Sequence, residues 1–164
     1  MKRDVQTLNR HLAAAQPSAT YRVMDRVAER RKQGVSILSL CAGEPDFDTP
    51  RHIREAAIAA IESGHTRYTQ VAGLRSLREA VAEKFRDENG LSVNWQDTHV
   101  SSGGKQVIFN ALAATLNEAD EVIIPAPYWV SYPEIVQLCG ARSRIVPCGA
   151  EHSFKLTADA LREA

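Results

Sequence analysis

Residues 101–110 read SSGGKQVIFN: small polar residues, two glycines, then a lysine at the start of an apolar run. A turn of this composition feeding a helix presents backbone amides at the positive end of the helix dipole, where a phosphate or carboxylate is stabilised. Lys105 adds a full positive charge there. The stretch is not a nucleotide P-loop, because the glycine spacing differs and Gln106 stands where Ser or Thr would meet magnesium. Nor is it a dinucleotide fingerprint, which needs a third glycine at a fixed offset. On its own the Gly103–Gly104 pair admits two readings, an anion site or a tight connection and nothing more.

Two further stretches carry residue types suited to binding. In PAPYWVSYP, residues 125–133, three prolines stiffen a loop at the carboxyl end of a strand, and Tyr128, Trp129 and Tyr132 crowd into it. Aromatics held there either stack on a planar ligand or plug the edge of the sheet. In AGEPDFDTP, residues 42–50, Gly43 allows close approach to the backbone while the prolines and acidic residues set the turn. Glu44, Asp46 and Asp48 lack the calcium-loop pattern and have no histidine nearby, so they read as solvated turn carboxylates. The histidines at 11, 52, 65, 99 and 152 show no ligand spacing, no serine sits in a nucleophile elbow, and no residue is assigned to metal.

The elements that must position these residues follow from periodicity. DRVAERRKQG, closed by Gly34, predicts a surface helix preceded by an arm, and VSILSLCAG predicts a buried strand. Thr49 is placed to cap a helix opened by Pro50, with Ile53, Ala57, Ala60 and Ile61 on one face and Gly64 at its end. Leu74, Leu77, Val81 and Phe85 mark a second amphipathic helix. From Asp97 the pattern becomes strand, turn, helix. THVSSGG leads into KQVIFNALAATL, apolar nearly all round and expected to be deeply packed. EVIIPAP reads as a strand buried on both faces, YPEIVQLCG as a helix opened by Pro133 and closed by Gly140, and RSRIVPC as another strand. The alternation argues for an α/β fold with parallel strands and right-handed crossovers.

Composition narrows the class. The 164 residues are 44% hydrophobic and 24% charged, enough for one globular domain with a core. Twenty basic residues balance twenty acidic ones, so no net field draws the chain to nucleic acid or an anionic membrane. No apolar run is long enough to span a bilayer, and MKRDVQTLNRHL lacks the apolar stretch of a signal peptide. The odd, unpaired Cys41, Cys139 and Cys148 suit a reducing compartment. The expected location is cytoplasmic.

Taken together and in order, QPSAT at 16–20, AGEPDFDTP at 42–50, TRYTQVAGLRSLREAVAEKF at 66–85, SSGGKQVIFNAL at 101–112 and DEVIIPAPYWVSYPE at 120–134 resemble the aspartate aminotransferase class, the pyridoxal-phosphate enzymes of the type I fold. They are similar to its bacterial members, which include prephenate-using enzymes, and the likeness runs almost end to end. QVAGLRSLRE departs mildly from the family's usual P(V/A)SGIPELRE, a difference expected to lie on the surface. The resemblance implies an incomplete mixed sheet flanked by helices: residues 1–48 as an N-terminal arm and small-domain contribution, 49–164 as the first part of the large cofactor-binding domain. It implies that Gly103, Gly104 and Lys105 receive the phosphate of pyridoxal 5′-phosphate and that Trp129 stacks on its ring and borders the substrate. Gly43 would contact the substrate α-carboxylate, Thr20 would line its distal carboxylate, and Tyr68 would reach the cofactor phosphate of the second subunit of a homodimer.

The implied reaction moves an amino group between L-aspartate, or a related amino acid, and a 2-oxo acid such as 2-oxoglutarate. The lysine that forms the Schiff base in this family lies downstream of residue 164, as do the residues that hold the cofactor ring and clamp the α-carboxylate, so no catalytic residue is assigned. Lys105, at the phosphate end, does not replace it. The expectation is a truncated chain, inactive alone, whose strand ending near Ser101 lacks its neighbours. Two alternatives stand beside it: a non-catalytic binding module that pairs with a full-length homologue, and an unrelated α/β phosphate-binding domain.

Overall fold

A computed structural model describes residues 9–15 and 18–164. Residues 1–8, part of the expected arm, and Gln16 and Pro17 of QPSAT lie outside the described residues. In chain order the elements are α1 (Arg10–Ala14), α2 (Ala19–Lys32), α3 (Arg51–Glu62), α4 (Arg75–Asn89), α5 (Gly104–Thr115), β1 (Glu121–Ala126), α6 (Ser131–Leu138), β2 (Arg142–Pro147) and α7 (Ala158–Glu163). The chain divides into two compact units, Met1–Ala42 with Gly104–Ala164, and Gly43–Gly103. No helix among the described residues is long and apolar enough to cross a membrane.

The first unit is built on β1, α6 and β2. The strands are parallel, in register from Glu121 opposite Arg142 to Ala126 opposite Pro147, with α6 as the crossover. Ile124, Val136 and Ala141 form the core, and Leu112, Leu116 and Val122 pack against it. Val136 is the deepest side chain, 1% exposed. Thr157 caps α7 by accepting from the Ala160 amide at 3.2 Å.

Several expectations are corrected here. α5, expected to be deeply packed, has no buried residue, and on β1 only Ile124 is buried rather than both faces. The reason is that a two-stranded sheet covers one side of each element and leaves Val107, Phe109 and Ile123 outside. VSILSLCAG forms no strand, and Leu38 and Leu40 are 90% and 91% exposed. A strand needs a neighbour for its amides and carbonyls, and in this segment the Ile37 carbonyl accepts instead from Arg31 Nη2 at 3.1 Å. α6 begins at Ser131, two residues before Pro133, because a proline in the first turn removes only an amide that has no helical partner.

The second unit holds α3 and α4. Pro50, not Thr49, is the N-cap of α3, since its ψ of 140° leaves it outside the helix that begins at Arg51. No residue of α3 is buried, so its Ile53 and Ile61 face is uncovered among the described residues. α4 ends at Gly90, whose φ of 66° allows the Leu91 amide to reach back to the Phe85 carbonyl at 2.9 Å. A short 3₁₀ turn, Trp95–Asp97, follows. THVS, expected as a strand, is extended but unpaired in a sheet, and it is held by side chains and by the Ala72 carbonyl, which accepts from the Val100 amide at 3.0 Å.

Candidate functional site

In the first unit, Gly104 opens α5 and Lys105 is its second residue. An added Cβ at Gly104 would meet nothing within 4 Å, so the approach to the first amides of this helix is open. Lys105 reaches across to the loop after β1, where its Nζ stands 5.7 Å from the centroid of the Trp129 ring. That distance is within the range of a cation–π contact. The loop is closed by the Tyr132 amide, which donates to the Trp129 carbonyl at 3.0 Å and starts α6 one turn after the indole. A cation and a half-exposed aromatic face thus stand together at the amino end of a twelve-residue helix.

Beside them lies a groove of about 420 Å³ lined by Ser18, Lys105, Phe109, Ser131, Glu134 and Ile135, among others. Its walls are mainly apolar, with Lys105 and Glu134 as its charged members. Ser18 is the N-cap of α2, yet its hydroxyl makes no cap bond to that helix. Thr20, the expected distal-carboxylate residue, is half-buried in the first turn of α2 and is not among the groove's lining residues; Ser18 is. Ser18, Phe109 and Glu134 are additions that periodicity could not single out, although Ser18 stands within QPSAT.

The second unit carries the remaining expected residues. Gly43 is exposed, with nothing within 4 Å of the position a Cβ would take. The side chain of Tyr68 is fully exposed. Gly103 has a φ of 88° and donates its amide to the Ser101 carbonyl at 2.8 Å, a tight turn that a side chain would strain. Of the acidic trio in AGEPDFDTP, Asp48 pairs with Arg54 at 3.6 Å, both exposed. Of the positions that depart from the family pattern, Gln70, Leu74, Arg75 and Ser76 lie on the surface as expected, and Ala72 is half-buried.

Among the described residues no group of three His, Cys, Asp or Glu side chains stands close enough to hold a metal. Cys41, Cys139 and Cys148 are free thiols. Burial pushes the Cys139 thiol above the ordinary range, and the neighbouring Asp87 raises the Arg86 guanidinium.

Known proteins place this arrangement in a family. The family model for class I and II aminotransferases matches residues 35–164. A probable aspartate/prephenate aminotransferase of Rhizobium leguminosarum is 53% identical over 153 residues, 93% of this chain and 38% of the relative. The aspartate/prephenate aminotransferase of Nitrosomonas europaea is 47% identical over 157 residues, 96% of this chain and 40% of the relative. Among solved structures, the Thermus thermophilus aspartate aminotransferase with maleate superposes with a TM-score of 0.91 at 49% identity, covering 96% of this chain and 41% of that one. The aspartate aminotransferase from Rhizobium meliloti gives 0.91 at 40% identity, covering 96% and 39%. The chain therefore spans about two-fifths of the length of the curated relatives it matches. Its α/β architecture is that of the N-terminal part of the type I pyridoxal-phosphate transferase fold, and the chain belongs to the class I and II aminotransferases.

Proposed function

We propose that this chain supplies the phosphate and ring contacts for pyridoxal phosphate in an enzyme that moves an amino group between L-aspartate, or a related amino acid, and a 2-oxo acid such as 2-oxoglutarate. The observation that carries the reading is Lys105 Nζ at 5.7 Å from the Trp129 ring at the start of α5. The residues fit the group: Gly103 and Gly104 leave open space where a Cβ would stand, so their backbone can be approached closely. The α5 amides and Lys105 favour a dianionic phosphate, and the indole offers a face to a pyridine. When bound, pyridoxal phosphate supplies a ring that withdraws electrons from the substrate's α-carbon. The chain's own part is to hold, orient and partly desolvate that ring.

Further assignments belong to the same reading. Gly43 contacts the substrate α-carboxylate, Thr20 with Ser18 lies toward its distal carboxylate, and Tyr68 reaches the phosphate of a second subunit in a cytoplasmic homodimer. Residues 1–48 contribute to an arm and small domain, and 49–164 to the large domain. No lysine among these residues is assigned to carry the cofactor, and the part proposed for them is binding. A second reading, a non-catalytic module that pairs with a complete homologue, draws on the exposed Leu38, Leu40, Phe47 and Val71, apolar surface of the kind a partner covers.

The test is calorimetry on the purified chain with deoxypyridoxine phosphate, which keeps the ring and phosphate of the cofactor but has no aldehyde to react with stray lysines. The expected result is a clear preference over unphosphorylated deoxypyridoxine, reduced about tenfold by Lys105→Ala. Equal affinity for the two ligands would overturn the reading.

A further inference from the structure

The buried groups of the second unit, among the described residues, are both polar: Arg78 and Thr98, each 8% exposed. A guanidinium at that depth must have its donors met. Arg78 Nε donates to the Thr98 carbonyl at 2.9 Å and Nη2 to the Gln96 carbonyl at 2.8 Å. The same guanidinium lies 4.9 Å from the centroid of Trp95. Thr98 closes the arrangement by donating its hydroxyl to the Trp95 carbonyl at 2.8 Å. Two residues on, Val100 is pinned between the Ala72 carbonyl and Gly73, where an added Cβ would come within 2.9 Å of it. Three residues further is Gly103, already folded back on the Ser101 carbonyl.

We infer that Arg78 is a positioning residue for the phosphate-receiving turn, acting through the carbonyls of Gln96 and Thr98. The inference rests on the reading of Gly103 and its neighbours as that turn. The physical case is that beyond the 3₁₀ turn at Trp95–Asp97 the segment 98–103 forms no sheet ladder, so no ladder dictates where its carbonyls and amides point. The planar fork of Arg78 supplies that constraint, holding two carbonyls at a fixed separation, those of the seventh and fifth residues before Gly103. If those carbonyls turn, the backbone from Val100 onward turns with them, and the Ser101–Gly103 turn shifts from its place. The role calls for arginine: a lysine keeps the charge but has no rigid fork to hold both carbonyls.

The experiment compares deoxypyridoxine phosphate with unphosphorylated deoxypyridoxine by calorimetry on the full chain, below the melting midpoint of each variant. Arg78→Lys is expected to lower the preference for the phosphorylated ligand about tenfold while leaving the affinity for the unphosphorylated one unchanged. Arg75→Gln is the matched control. Its guanidinium also lies 4.9 Å from Trp95, but its Nε pairs with exposed Glu79 instead of a backbone carbonyl, and the preference is expected to hold. A merely structural role would lower the melting temperature of Arg78→Lys and leave the preference intact, and that result would overturn the inference. Should Arg78→Lys fail to fold, Arg78→Gln, whose side-chain amide has no fork wide enough to meet both carbonyls, carries the same comparison with the same two outcomes. A wild-type chain without phosphate preference would instead remove the underlying reading, and this inference with it.

Discussion

Around β1, α6 and β2 the backbone is held by apolar contact: Ile124, Val136 and Ala141 close over a parallel ladder whose hydrogen bonds are regular. Around Arg78 the backbone has no ladder, and a buried cation takes its place by donating to the carbonyls of Gln96 and Thr98. The difference concerns what each kind of support tolerates. An apolar core responds to volume and accepts a range of hydrophobic shapes. A polar clip responds to geometry, because each donor left unmatched leaves a desolvated carbonyl behind. The first arrangement suits a scaffold. The second suits a segment whose amide directions matter.

Substitutions can break that comparison, beginning with the largest effect. Val136→Asp sets a carboxylate into the tightest point of the first unit, and a loss of about 4 kcal/mol or more is expected, read by chemical denaturation as collapse of that unit. Arg78→Met keeps a long side chain but leaves two carbonyls unpaired, for an expected cost of about 3 kcal/mol. If the second unit were held by packing alone, that change would be near neutral. Gly73→Ala combines a φ of 104° with a 2.9 Å encounter with Val100, and a loss of about 2 kcal/mol is expected in the same assay.

The smallest effect is at Cys139. Burial raises its thiol pKa in the folded state, so the folded chain holds the proton more tightly than the unfolded one. Its contribution is therefore complete below the ordinary thiol range and declines as pH rises through the raised value. Denaturation midpoints measured against pH should show a slight alkaline fall that Cys139→Ser abolishes.

Local signals were the legible part of the sequence. Gly140, with a φ of 83°, follows the end of α6, and the β1–α6–β2 alternation produces a parallel pair. Lys105 and Trp129 were identifiable because a glycine turn before a helix and an aromatic loop after a strand are each chemically unusual. What could not be read depended on neighbours distant in sequence. Residues 35–41 have strand composition, but a strand exists only when another pairs with it, and Leu38 and Leu40 stand in the open instead. The apolar surround of α5 predicts depth, which the two-stranded sheet does not provide. Arg78 was hidden by its own type: a charged residue in RSLREAVAEKF reads as the wet face of an amphipathic helix, and only the path of the segment around Trp95 encloses it. Ser18 carries no signal of its own, since a serine before a helix is ordinarily a cap, yet its hydroxyl makes no such bond.

The most direct measurement is amide chemical-shift titration of the isotopically labelled chain with deoxypyridoxine phosphate and, separately, with its unphosphorylated form. Saturable shifts centred on the amides of Gly103, Gly104 and Lys105 are expected with the phosphorylated ligand alone, together with a shift of the Trp129 indole N–H. Saturation without movement of those three amides, or identical shifts with both ligands, would contradict that expectation.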